Sequence, residues 1–258
     1  MTLTTNRVPK LPAHHIDEVI QNLDRIIDRS IATGSRLGYF PALYRKVTLQ
    51  VARGISQGQF EDGSRMERLD VLFANRYLDA LELFQQGKAV PASWRLAFET
   101  TSEWWPIVLQ HLLLGINAHI NLDLAIAAAA TSPATELPGL RNDFNRINGI
   151  LAALVDDVKA ELTAIWPLLG LVDYVSGRGH EALIHFSMTK ARDCAWQAAE
   201  QLAAASPAER DSLVNELDAR VVVIGGLVRR PGVLAGTTTR LIRLGERKTV
   251  REVIEILK

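Results

Sequence analysis

The sequence predicts an all-α fold: a single multi-helix bundle of about eight or nine helices over residues 15–258, preceded by a flexible arm at 1–14. Three observations point there. Apolar residues recur three and four positions apart in segment after segment, the spacing that gives a helix one buried face. Glycine and proline fall mainly between those segments, at Thr33-Gly34, Ser132-Pro133, Pro138, Pro167 and Gly177–Gly179. Residues 104–130 form a helix-length run that is apolar on nearly all sides, and the other helices are expected to gather around it as a central buried helix over about 103–131.

In chain order, Pro9 and Pro12 keep the arm irregular. The first helix runs from His15 to Ala32, with Ile16, Val19, Ile20, Leu23, Ile26 and Ile27 on one face. The second covers Gly38–Gln57, with Pro41 tolerated in its first turn. The third, Asp62–Gln86, sets Arg76 in the middle of an apolar arc made by Met66, Leu69, Leu72, Phe73, Ala80, Leu83 and Phe84, with Asp70 and Tyr77 at its edge. A guanidinium keeps its charge, so a buried Arg76 requires an anionic or carbonyl partner. A short helix at Pro91–Ser102 carries Trp94. A long one follows from Leu140 to Trp166, then helices over Glu181–Ala205 and Pro207–Val228, the last with Ser206 as N-cap. Thr237–Leu244 fits a helix or a short strand, and Val250–Lys258 a terminal helix.

Within 104–130 only six of 27 residues are strongly polar: Gln110, His111, Asn117, His119, Asn121 and Asp123. At about 100° per residue, Gln110, Asn117 and Asn121 share one stripe, and His119 and Asp123 lie together on the opposite side. A helix apolar all round belongs in a core or a bilayer. Asn, His and Asp at the middle of a span are costly there, so the core of a soluble bundle is expected, with no membrane span. Gly115 and Ala118, beside the histidines, suit either a close helix neighbour or space for a ligand.

Composition narrows the function. The chain is 48% apolar and 22% charged, with 29 basic and 29 acidic residues, so the net charge suggests no nucleic-acid or anionic-membrane partner. The single Cys194 excludes an internal disulfide and a cysteine-based zinc site. The N-terminus lacks a signal-peptide apolar core, which makes the cytoplasm the expected location. P-loop, GxGxxG, GxSxG and HExxH patterns are absent, as is the paired Glu-x-x-His of di-iron bundles, and Gly225-Gly226 stands without the rest of a dinucleotide fingerprint.

His119-Ile-Asn-Leu-Asp123 is the sharpest chemical pattern. Residues four apart share a helix face, about 6 Å along the axis. Both side chains can bind one divalent metal, zinc or iron. Alternatively the carboxylate orients the imidazole for base catalysis. As a third reading, the pair is an internal hydrogen bond that fixes packing. A closed metal site needs further ligands, for which Glu67, Asp70, Asp79, Asp143, His180 and His185 are the candidates. His111, two turns earlier, is expected to wall the same cavity. Asp143 is expected to favour the positive start of the long helix, and Asn148 to need hydrogen-bond partners.

The runs FEDGSRMERLDVLFANRYLDAL (60–81), PASWRLAF (91–98) and LQHLLLGINAHINLDL (109–124) resemble a bacterial all-α family of unknown function. The likeness spans residues 15–200 and weakens toward the C-terminus. It implies one domain type and no particular activity. More distantly, the HxxxD resembles that of all-α zinc phospholipases and nucleases. Those folds use several such ligand sets and an N-terminal Trp, whereas this chain begins with Met and has one set.

The expected function is a small-molecule enzyme with an internal, mostly apolar pocket. His119, Asp123, Arg76 and Tyr77 are its catalytic candidates, and His111, Asp70, Asn117 and Phe73 line the ligand. Arg76 suits a carboxylate or phosphate, and apolar walls favour a lipid-like or polyketide-like molecule. The alternative is a non-catalytic protein that binds an apolar ligand or a partner helix. A homo-oligomer is compatible with either.

Overall fold

The computed structural model describes residues 12–165 and 188–258. Among the described residues every regular element is helical. They form α1 (Ile16–Thr33), α2 (Tyr39–Ser56), α3 (Gly63–Gln85), α4 (Ala92–Thr100), α5 (Val108–Ala118), α6 (Leu124–Thr131), α7 (Arg141–Ile165), α8 (Met188–Ala204), α9 (Pro207–Arg229), α10 (Val233–Gly245) and α11 (Val250–Leu257). These eleven helices exceed the eight or nine expected. One reason is that a widened turn divides the apolar run into α5 and α6; another is that the weak C-terminal signal resolves into two helices. Thr237–Leu244 is helix, not strand. The N-terminal arm up to Leu11, the breaks at Pro167 and Gly177–Gly179, and His180 and His185 lie outside the described residues.

Local chemistry sets the boundaries. Gly34 ends α1 in the left-handed region at φ 65° and returns its N–H to Ile31. Asp62 accepts from Arg65 N at 2.9 Å to start α3. Asp218 of α9 accepts from Ala92 N and Ser93 N, so one helix caps the start of another. Glu209 reaches back to Ser206 N and Oγ at the head of α9, as Glu252 does to Thr249 before α11. The apolar run does not begin helically at Trp104. Pro106 disfavours helical backbone just before it, and Ile107 N turns instead to Gln110 Oε1 at 3.0 Å. The helix therefore starts at Val108, and Trp104 and Trp105 stay in the exposed loop before it.

Val108–Thr131 is the candidate membrane-spanning stretch by length and composition among the described residues, and 72% of its most apolar window is buried inside the protein. It packs against α2, α3, α4, α8 and α9. Leu112, Leu114, Leu122 and Leu124 are all but fully buried, each worth about 1.5–3 kcal/mol relative to exposure. The polar stripe expected opposite the histidines faces α9. Gln110 donates to the Val228 and Arg229 carbonyls, and Asn117 donates to Val221 O at 2.9 Å while accepting from Asn121. Asn117 thus ties two helices together and does not join the ligand-lining group predicted for it. Gly115 serves close helix approach: a Cβ there would fall 2.5 Å from the ring of Phe40 on α2.

Candidate functional site

The site gathers on Asp123, which is fully buried. Its Oδ2 accepts a 2.8 Å hydrogen bond from the Trp94 indole N–H of α4 and lies 3.1 Å from His119 Nδ1. Its Oδ1 lies 3.5 Å from Nε of Arg76 on α3. That carboxylate is the anionic partner Arg76 requires. The arginine side chain is 37% exposed, so it runs from the buried oxygen to the surface.

His119 and Asp123 bound a π-helical turn in which Leu124 N–H bonds the His119 carbonyl, five residues back instead of four. Such widened turns recur at functional sites, because they re-aim side chains at a backbone cost that the surroundings must offset. Around the imidazole stand five aromatic rings. Phe73 stacks on it at 3.5 Å between centroids, Tyr44 meets it edge-on at 4.5 Å, and Phe40, Trp94 and Tyr77 complete the wall at 5.5, 6.0 and 6.3 Å.

Burial pushes the His119 pKa down, against the opposing hydrogen bond and charge of Asp123, and so favours the neutral ring. A carboxylate can only accept, so the proton shared with Asp123 belongs to Nδ1. Nε2 is then a bare lone pair, and this buried atom has no hydrogen-bond partner among the described residues. The same holds for Tyr44 Oη, Tyr77 Oη and Asp70 Oδ2. Burial raises both tyrosines, well above the ordinary phenol value for Tyr44, whose shift the Asp70 charge augments. Burial, with the charge of Glu67, raises Asp70 to about 7. Buried polar groups are normally paired, so these atoms stand out among the described residues as candidates for a further partner.

Other predicted members fall elsewhere. His111 is buried against Tyr39, ring centroids 5.7 Å apart, and does not wall the His119 site. Burial, with the charges of Arg36 and Arg243, lowers it to about 3. Asp143 is buried, but its oxygens accept from Glu61 N and Asp62 N at 2.7 and 2.9 Å in the turn before α3, so it braces another segment instead of its own helix. Glu67 accepts from Ile16 N. Asn148 finds its partner in Arg192 Nε at 2.7 Å. No group of three or more His, Cys, Asp and Glu side chains converges as metal ligands among the described residues. The donors on Asp123 are N–H groups and a guanidinium, which suit an orienting carboxylate better than a metal ligand.

Sequence reading missed Trp94, Tyr44 and Phe40 as site members. A signal for Trp94 existed: a buried indole needs an acceptor, and a buried aspartate needs donors. Nothing in the sequence announces the widened turn.

A family model described as a family of unknown function (DUF5995) matches residues 16–231, further toward the C-terminus than the resemblance at 15–200 suggested. No curated protein and no solved structure shows detectable similarity to the chain.

Proposed function

The chain belongs to that family of unknown function, and from the interior site itself we propose that it is a small-molecule enzyme in which His119 acts as general base. The helix carrying His119 is read as the axis of the bundle. The buried Nε2 of His119, without a hydrogen-bond partner among the described residues and opposite an Nδ1 held by Asp123, carries the reading. In this arrangement Asp123 fixes the tautomer and steadies the imidazolium once a proton arrives. Trp94 and Arg76 hold the carboxylate in turn. The Tyr44 and Tyr77 hydroxyls stay protonated and offer hydrogen bonds to the substrate oxygen on which negative charge develops as His119 takes the proton. The exposed part of Arg76 suits a carboxylate or phosphate at the surface beside the site. The substrate class is a largely apolar acid with a hydroxyl or acidic C–H, and no metal is required for this chemistry.

A second reading rests on the five rings packed around His119, which also suit a purely structural hydrogen bond in a binding protein. His119→Phe separates the two. It keeps an apolar ring, removes the unpaired nitrogen and forfeits one hydrogen bond, so the catalytic reading expects stability within about 1 kcal/mol of wild type. A thermal-shift screen with hydroxylated fatty and aromatic acids is expected to give stabilising ligands for wild type that His119→Phe fails to bind. A variant several kcal/mol less stable, with no acid bound by wild type, supports the structural reading.

A further inference from the structure

The large apolar side chains exposed among the described residues are Trp104, Trp105, Val223, Ile224, Leu227, Leu241 and Leu244. They fall in three segments that the structure ties together. Arg243 Nε donates to Trp104 O at 2.5 Å, which pins α10 to the loop before α5, and an Arg229–Glu103 ion pair pins the end of α9 to the same loop. On α10, Ile242 is buried against Ile107, and Glu246 accepts from Val108 N. The opposite side of that helix is therefore the outward one. Leu241 and Leu244, 67% and 61% exposed, lie three apart on it. The guanidinium carbons of Arg240 and Arg243 sit 5.8 Å and 4.9 Å from the ring centroids of Trp105 and Trp104, themselves 56% and 50% exposed.

We propose that this Trp–Arg–Leu face is a peripheral membrane-binding surface that docks on anionic phospholipid. Exposed tryptophans with leucines flanked by arginines suit the boundary between headgroups and acyl chains, where a ring has one apolar and one wet side. The local charge is positive. Glu103 and Glu246 are engaged by Arg229 and Arg243, while Arg240 and Arg247 are exposed beside the leucines. A second copy docked by a two-fold axis would set these arginines against one another, which disfavours self-association through the face. A negatively charged bilayer complements them, at about 1 kcal/mol for each basic residue near its surface.

The test is sedimentation of the full chain with vesicles of phosphatidylcholine alone or mixed with phosphatidylglycerol. Binding is expected only to the mixed vesicles, weakening as salt rises, with tryptophan emission shifted to shorter wavelength. Leu241→Ser/Leu244→Ser is expected to weaken it about tenfold or more, and Arg240→Glu/Arg247→Glu to abolish it. These side chains are exposed, so circular dichroism and melting temperature are expected to match wild type, and that match validates the comparison. Absence of binding to mixed vesicles, binding unchanged in the folded serine variant, or equal and salt-insensitive binding to pure phosphatidylcholine would overturn the proposal. So would a dimer in solution that the serine variant dissociates, which would make the face a self-interface.

Discussion

At the scale of single residues, Asp123 carries the most interactions for its size. Its carboxylate is fully buried and answers an indole N–H, an imidazole and a guanidinium. Asp123→Ala leaves those donors without their acceptor, and a loss of about 3–5 kcal/mol is expected in urea denaturation. Trp94→Phe keeps an aromatic side chain but deletes the N–H donor and part of a fully buried ring system, for an expected loss of about 2–4 kcal/mol by the same measurement. Asp70 behaves differently, because no donor among the described residues answers its Oδ2. An aspartate near 3.8 when unfolded, raised to about 7 by burial, holds a proton in the fold that the unfolded chain has released. Stability from this group therefore falls as pH rises between those two values, and the penalty is complete above about 7. Asp70→Asn is expected to stabilise by about 1–3 kcal/mol at pH 8 and by little at pH 4, read as the difference between two denaturation curves. The buried histidines run the other way. His111, 6.5 when unfolded and about 3 when folded, stays neutral in the fold, so its contribution is intact above 6.5 and lost as pH falls toward 3.

At the scale of elements, the helix spanning α5, the π turn and α6 shows which features its sequence announced. Its grouping of polar residues was legible: Gln110 and Asn117 meet α9, Asn121 bonds Asn117 on the same side, and His119 and Asp123 do pair. Its start was not, since Pro106 and the Gln110 side chain decide it. The extra residue in the turn was not either, because the backbone choice depends on tertiary packing. His111 fell outside the site for a related reason. Two helical turns of separation carry it to the end where α2 and α10 meet α5, beside Tyr39, Arg36 and Arg243. Gly115 permits the contact that places Phe40 against His119, and a methyl at that Cα would sit 2.5–2.6 Å from ring carbons. Gly115→Ala is therefore expected to cost about 1–3 kcal/mol despite better helix propensity, with chemical-shift changes centred on Phe40 and His119 in an NMR spectrum.

At the scale of the whole molecule, periodicity and punctuation were enough for an all-α fold, with both ends of α1, α2, α3 and α9 and the start of α7 placed within a residue or two. A net charge of zero carries no positions, and so says nothing of where Arg240 and Arg243 sit over the exposed rings of Trp105 and Trp104. The site, too, is a product of assembly: Arg76 from α3, Trp94 from α4 and Tyr44 from α2 converge on one helix only after folding. What that assembly produces is a neutral imidazole with its proton on Nδ1 and its other nitrogen bare. Nitrogen-15 NMR of histidine-labelled protein reads this directly. The prediction is a His119 signal with protonated Nδ1 and unprotonated Nε2 that does not move as pH is lowered through 6.5. A proton on Nε2, or an imidazolium at neutral pH, would contradict it.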